Sequence, residues 1–414
     1  MSIPITRHRL LHSRLTPLLL LGCILAALFM MQVRAGDNME DLDQVMRIIS
    51  LVKTAYVDDV NTVDLVKAYV LKGTINGMLW EVLDPYTYYM EPRAYAEMKV
   101  DTSGEFAGIG IVVTMYKGQL TIVSPIRSTP GHRAGLRTGD LIRTIDGQST
   151  EGMLVNQAVD MMRGPEGTKV VLGIEREGEE FEVEIIRANV EVPVIPKAEI
   201  VQDGIAYVRL SSFNERTFTS LQETLQDLDG QGMRALILDL RSNAGGLLTQ
   251  AVQVVDHFLG NGPIVHIVGR EGQRETIYAQ LRNTRPPLPM VVLTDKGTAS
   301  ASEIVAGALR DTGLATIVGS TTFGKGLVQT VIPLGDGSAL RLTTARYATS
   351  AGHFIDKVGI EPDVLVEPEP LAEGEERELQ PLDAELDLEG DVQLRTAVEI
   401  LKEKLQMGSL PQAS

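Results

Sequence analysis

Ala235-Leu236-Ile237-Leu238-Asp239-Leu240-Arg241-Ser242-Asn243-Ala244-Gly245-Gly246 is an apolar run that breaks at its carboxyl end into a polar loop with paired glycines. An apolar run of this length, closed by turn residues, reads as a buried strand. Downstream, helical spacing spans Leu247 to Phe258, a second apolar strand Met290 to Leu293, and a second helix Ser302 to Leu309. Upstream, Ile205 to Leu210 and Thr217 to Leu228 add a strand and a helix. Strand and helix alternating in this way predict an α/β domain with a largely parallel sheet over residues 191–368. Sites in such sheets lie beyond the carboxyl ends of strands. The loops 241–246 and 294–299 both occupy that position.

The texture changes on the amino-terminal side. Across residues 101–190, short β-type runs such as Gly110 to Thr114, Leu120 to Val123 and Val170 to Ile174 predict a compact β-rich domain. Residues 37–100 show apolar positions three and four apart, among them Leu42, Val45, Met46, Ile49, Leu65, Val66, Val70, Met78 and Leu79, and predict a helical segment. Residues 1–35 carry Arg7, Arg9 and Arg14, then the uncharged run Pro17 to Met31 and the cleavage-like Val33-Arg34-Ala35. They read as an export signal or a retained inner-membrane anchor, since the run lies between the usual lengths of the two. A lipidation box at Leu20-Leu21-Gly22-Cys23 is a third reading, but the apolar run continues past Cys23. The expected location is exported, periplasmic or otherwise extracytoplasmic.

Glu367 to Asp391 holds eleven acidic residues against Arg377 alone, so residues 369–414 read as an acidic C-terminal segment ending in a helix, either solvated or an interaction tail. A net charge of −17 without clustered Lys/Arg argues against nucleic acid as a partner. One cysteine and six scattered histidines argue against structural zinc, iron-sulfur centres and a disulfide framework, and no cofactor is expected. Oxygen and nitrogen groups are left to carry any chemistry.

Three loops hold such groups. The paired Gly245 and Gly246 let backbone N–H groups approach a ligand, as in an oxyanion site, although glycines also punctuate ordinary turns. In Gly297-Thr298-Ala299-Ser300-Ala301-Ser302-Glu303-Ile304, Ser300 and Glu303 fit a capping box, yet the same position exposes a hydroxyl between small residues beside the next amide N–H. Gly319-Ser320-Thr321-Thr322-Phe323-Gly324-Lys325-Gly326 begins like a phosphate loop but lacks the final Ser/Thr and continues into β-type sequence. No histidine stands in an evident motif to serve Ser300, so Lys325 is the candidate base. Its ordinary pKa of about 10.4 would have to fall to roughly 7 or 8, a shift of about 3 to 5 kcal/mol that a dry apolar site can supply. Gln329 lies on the face of Lys325 if the chain is extended, and a neutral amide orients the amine without raising its pKa.

The motif around Ser300, the Phe323-Gly324-Lys325-Gly326 loop and Gln329, together with Asp239 to Gly246, resemble the C-terminal processing peptidases, also called tail-specific proteases, over residues 40–368. At Ala244 that family commonly has proline. The resemblance implies an α/β peptidase core of crotonase/Clp-like spiral sheet-and-helix fold, with an inserted β-rich PDZ domain and a helical N-terminal segment. It implies Ser300 as nucleophile, Lys325 as base, Gln329 as its orienting partner, and an oxyanion hole from the N–H of Ala301 and of Gly245 or Gly246. Gly108-Ile109-Gly110-Ile111 resembles the PDZ carboxylate-binding loop, the part that would read apolar C-terminal tails of protein substrates. The expected activity is that of a serine endopeptidase without metal or organic cofactor, a homo-oligomer that an adaptor protein could activate. The rival is a PDZ scaffold that binds tails without cutting them, and the intact Ser300, Lys325 and Gln329 stand against it.

Overall fold

Alternation along the central strands explains the architecture. In this computed structural model, which describes residues 42–280, 284–367 and 384–408, a six-stranded sheet runs β1 (Lys197–Gln202), β2 (Ile205–Arg209), β3 (Ala235–Asp239), β4 (Met290–Thr294), β5 (Thr316–Gly319) and β6 (Val364–Leu365), in spatial as in chain order. β1 is antiparallel to β2 and every later pair is parallel, with Leu236 opposite Met290 and Val291 opposite Thr316. Ala206, Val208, Leu236, Leu238, Val292 and Ile317 face three helices, α1 (Thr217–Gly230), α2 (Leu248–Phe258) and α3 (Ala301–Asp311). Ile205, Tyr207, Ala235, Ile237, Val291, Leu293 and Val318 face the other way. Both faces are covered, which is why these strands are continuously apolar.

The second cover is α4 (Val392–Gly408), whose Leu394, Ala397, Val398 and Leu401 are buried against that face. Each of the leucine and valine side chains contributes about 1.5–3 kcal/mol on burial. The C-terminal segment is therefore not simply a solvated tail: its acidic part at 368–383 lies outside the described residues, while its helix is a layer of the core. Composition had emphasised the acidic run over the three-and-four spacing within the helix. The export segment, residues 1–35, also lies outside the described residues.

The described residues divide into two compact units, one of residues 42–89 with 330–332 and 340–343, the other of the remaining described residues. The described part of the first contains a helix over 42–55 and helices Thr62–Lys72 and Ile75–Val82, as the spacing predicted. Asn61 and Thr74 cap the latter two, accepting hydrogen bonds from the N–H groups of Val63 and Gly77. Ile48, Val52, Leu65, Met78 and Leu79 form the buried side.

Within the second unit, residues 105–191 fold as the expected β-rich insertion. Its entry strand Glu105–Gly108 and exit strand Ala188–Glu191 pair antiparallel, bringing the two connections together. Between them the main sheet orders Ile111–Tyr116, Gln119–Pro125, Leu141–Ile145, Lys169–Arg176 and Glu179–Ile186. Ile111–Tyr116 is an edge strand, beside the helix Val155–Met162. This is an α/β core with an inserted β domain and a helical N-terminal region.

Candidate active site

All three loops singled out in the sequence follow carboxyl ends of parallel strands: 241–246 after β3, 295–300 after β4, and 320–326 after β5. Hydrogen bonds lace the first two together. The Ala299 N–H and the Ser302 hydroxyl both donate to the Asn243 carbonyl, at 3.0 and 2.9 Å. The Thr298 hydroxyl donates to Leu240 O at 2.8 Å, and Ser242 N–H to Asp295 Oδ1 at 2.8 Å.

Ser300 sits at the start of α3 with φ 57° and ψ −116°, a left-handed conformation that costs a non-glycine residue about 1–3 kcal/mol. Its backbone makes the cap: the Glu303 N–H donates to Ser300 O at 2.9 Å, and the Ser300 N–H donates to Glu303 Oε2 at 2.8 Å. The side-chain hydroxyl makes no capping bond. The backbone and the Glu303 side chain thus make the cap, and the hydroxyl is left out of it.

Glu303 does more than the capping box predicted. It is fully buried and also accepts from Gly324 N–H at 2.8 Å, Lys325 N–H at 2.9 Å and the Thr322 hydroxyl. One carboxylate therefore fixes the backbones of Ser300 and Lys325 to each other. Phe323 N–H donates to Thr298 O at 2.9 Å, adding a second tie between the loops. Lys325 is half-buried, with its carbonyl accepting from the Tyr347 hydroxyl. Gln329 follows as the third residue of the strand Leu327–Pro333, also half-buried.

The structure gives the paired glycines different surroundings. A Cβ on Gly245 would lie 2.7 Å from Ala299 O and 2.8 Å from both Ala301 N and Ser300 Cβ, so Gly245 is the point of closest approach to Ser300. Its own N–H is taken by Asn243 Oδ1 at 2.9 Å. A Cβ on Gly246 would instead lie 2.1 Å from Phe213 O. Among the described residues, the N–H groups of Gly246 and Ala301 make no hydrogen bond.

Behind the glycine loop, Arg241 is gripped by Asp239, with Nη2 at 2.6 Å from Oδ2 and Nε at 3.0 Å from each oxygen. Tyr207 donates to the same carboxylate at 2.7 Å. Burial by itself would raise the Asp239 carboxyl, but the Arg241 guanidinium and the hydrogen bonds outweigh it and hold it below the ordinary carboxylate range. Burial and the Asp239 charge both push the Tyr207 phenol upward. Sequence reasoning read this strand end only as a loop boundary. The signal was parity: Asp239 continues the Ala235, Ile237 face, so it had to be buried and paired.

In the inserted domain, Gly108 ends the entry strand, Ile109 is buried, Gly110 has φ 74° and Ile111 opens the edge strand. The Ile109 carbonyl accepts from Gly131 N–H at 2.7 Å, and the Gly110 carbonyl from Ile126 N–H at 3.0 Å and the Thr129 hydroxyl at 2.9 Å. The N–H groups of Ile109 and Gly110 make no hydrogen bond among the described residues. Carbonyls are consumed and amide donors remain, as anion recognition requires.

Residues 204–366 match Peptidase family S41, residues 121–176 a PDZ domain, and residues 28–94 the activating protease CtpB N-terminal domain. A carboxy-terminal-processing protease of Bartonella bacilliformis is 44% identical over 310 residues, spanning 73% of this chain and 70% of its own length. The carboxy-terminal processing protease CtpB of Bacillus subtilis is 34% identical over 354 residues, 84% of this chain and 72% of that one. A solved photosystem II D1 C-terminal processing protease superposes with a TM-score of 0.54 at 32% identity, over 78% of this chain and 92% of its own. With sequence, fold and domain content in agreement, the chain belongs to peptidase family S41, among the serine-type carboxy-terminal processing proteases.

Proposed function

We propose that this protease is an exported endopeptidase that reads apolar C-terminal tails through its PDZ domain and cleaves its substrates through an acyl-enzyme on Ser300. Lys325 takes the hydroxyl proton as Oγ attacks the scissile carbonyl carbon. It returns that proton to the leaving amine as the C–N bond breaks, and water then hydrolyses the ester. Gln329 orients the amine. The Ala301 and Gly246 N–H groups, both without an acceptor among the described residues, hold the developing oxyanion. The observation that carries this reading is Glu303, whose carboxylate binds the backbones of nucleophile and base at 2.8 and 2.9 Å.

Tail reading is supported by the open edge strand Ile111–Tyr116 beside the helix Val155–Met162, with Ile111, Val113, Val155 and Val159 partly buried on the domain's core. A tail adds to the edge strand while its carboxylate meets the Gly108–Ile111 loop. Self-association is supported by the exposed Val66, Val70, Leu71 and Trp80 of the N-terminal helices. That surface would serve an activating adaptor equally well. The basic, then apolar N-terminus supports export, with or without retention at the inner membrane.

The test is cleavage of a protein substrate with an apolar C-terminal tail by the full chain, by Ser300→Ala and by Lys325→Ala. Cleavage by the wild type alone is expected; equal cleavage by all three refutes the dyad. Fractionation with N-terminal sequencing of the recovered protein tests export, and recovery in the cytoplasm with Met1 in place refutes it.

A further inference from the structure

The C-terminal helix begins where the active-site support ends. Arg241, the first residue of the glycine loop, spends Nε and Nη2 on Asp239 and turns Nη1 toward the opposite end of the chain. There it donates to Asp391 Oδ1 at 3.0 Å and Gln393 Oε1 at 3.1 Å, with Asp391 Oδ2 at 2.8 Å. Gln393 is only 4% exposed, and its amide is aimed by donation from Nε2 to Val366 O at 2.7 Å. Its orientation is therefore fixed, and its oxygen necessarily faces the guanidinium.

We infer that Asp391 and Gln393 are positioning residues for the oxyanion loop, acting through Arg241. This rests on the reading of Ser300 and Gly246 given above and extends it to the carboxyl-terminal segment. The chain of contact is continuous: Asp391 and Gln393 hold Nη1, Arg241 opens the loop, and Gly245 lies against Ser300 four residues later. Without the two acceptors, a largely buried guanidinium edge loses both partners, and the cheapest relief is for the loop to shift and let it reach more water. A displacement of about 1 Å at an oxyanion donor is enough to slow acylation by up to about 100-fold. Neither residue touches substrate.

The test uses the full chain, comparing wild type with D391A/Q393A, D391N and the control E399Q, an exposed site on the same helix. Three quantities are read: the rate of Ser300 labelling by a fluorophosphonate, kcat and KM on a tailed protein substrate, and thermal unfolding. The double variant is expected to label at least about tenfold more slowly, with kcat reduced to match and KM within about twofold. D391N, which keeps an acceptor, is expected to fall between, and E399Q to match wild type. Wild-type labelling and kcat in a double variant that has only lost thermal stability overturn the inference, because a purely structural helix predicts that pattern. If the double variant does not fold, D391N decides: slower labelling supports the inference and an unchanged rate overturns it. A wild type that does not label at Ser300 would remove the catalytic reading itself, an outcome distinct from normal labelling in every variant.

Discussion

Glu303→Gln is the sharpest probe of the site, because it changes one atom of a side chain that no solvent reaches. Glu303 accepts from four donors, two on each oxygen: Ser300 and Lys325 N–H on Oε2, Gly324 N–H and the Thr322 hydroxyl on Oε1. An amide must place its NH2 toward one pair. Backbone N–H groups cannot reverse, whereas Thr322 can rotate its proton, so the NH2 turns to the Oε1 side and only Gly324 N–H is orphaned. One unsatisfied buried donor costs about 1–3 kcal/mol, and three hydrogen bonds to a carboxylate become neutral ones at about 1 kcal/mol each. The sum, about 4–6 kcal/mol, is a large part of the stability of an ordinary domain, so the 320–326 loop loosens before the fold is lost. Expected are a lower midpoint in guanidinium unfolding and a fall in kcat of about 100-fold with little change in KM. Thr322→Val is the companion: it removes one donor to Glu303, and the acceptor of Ile360 N–H, but leaves the Ser300 and Lys325 bonds in place, so it should lower stability while kcat stays within about threefold of wild type. An E303Q enzyme with wild-type kcat, or a T322V enzyme as slow as E303Q, refutes the view that this carboxylate sets the spacing of the two loops.

Three further outcomes are expected. Gly245→Ala forces a Cβ to 2.7 Å from Ala299 O at a φ of 96°, and should cost at least about 100-fold in Ser300 labelling while far-UV circular dichroism is retained; labelling within twofold of wild type would mean the loop yields freely. Val159→Lys, in the helix beside the open edge strand, should weaken binding of an apolar-tailed peptide to the full chain by at least about tenfold in fluorescence anisotropy, without altering fluorophosphonate labelling; unchanged affinity would exclude this groove as the tail site. For Asp239, held below its ordinary range, the charged form contributes stability above the unfolded carboxyl pKa of about 3.9, and that contribution is lost as pH falls through the lower folded value. The difference in unfolding free energy between wild type and Asp239→Asn should therefore shrink as pH is lowered below about 4, and a pH-independent difference would refute the assignment.

Much of the fold was legible because the buried parallel strands advertise themselves: Ala235 to Leu240 and Met290 to Leu293 can be little else at that length and spacing. The site was legible at the level of its loops, since turn chemistry and chain order fix where strands end. What was hidden is contact between segments distant in sequence. Glu303 looked like a local cap because its other three donors come from residues 322, 324 and 325, which no local pattern connects to it. The buried helix Val392–Gly408 was masked by the acidic run before it, whose charge dominates composition over the helix's own short apolar stripe of Leu394, Ala397, Val398 and Leu401. That the Asn243 side chain captures the N–H of Gly245 and not that of Gly246 is a matter of loop geometry alone.

The pairing of Glu105–Gly108 with Ala188–Glu191 has an evolutionary corollary. A module whose two ends emerge side by side can be exchanged as a cassette, because the host sees only a short ladder whatever lies beyond it. With the tail-reading role proposed above, substrate choice and bond cleavage become separately heritable traits: a lineage can acquire a new clientele by replacing about 80 residues while the chemistry stays under its own selection. The same property makes this ladder the natural splice point for building proteases with chosen targets.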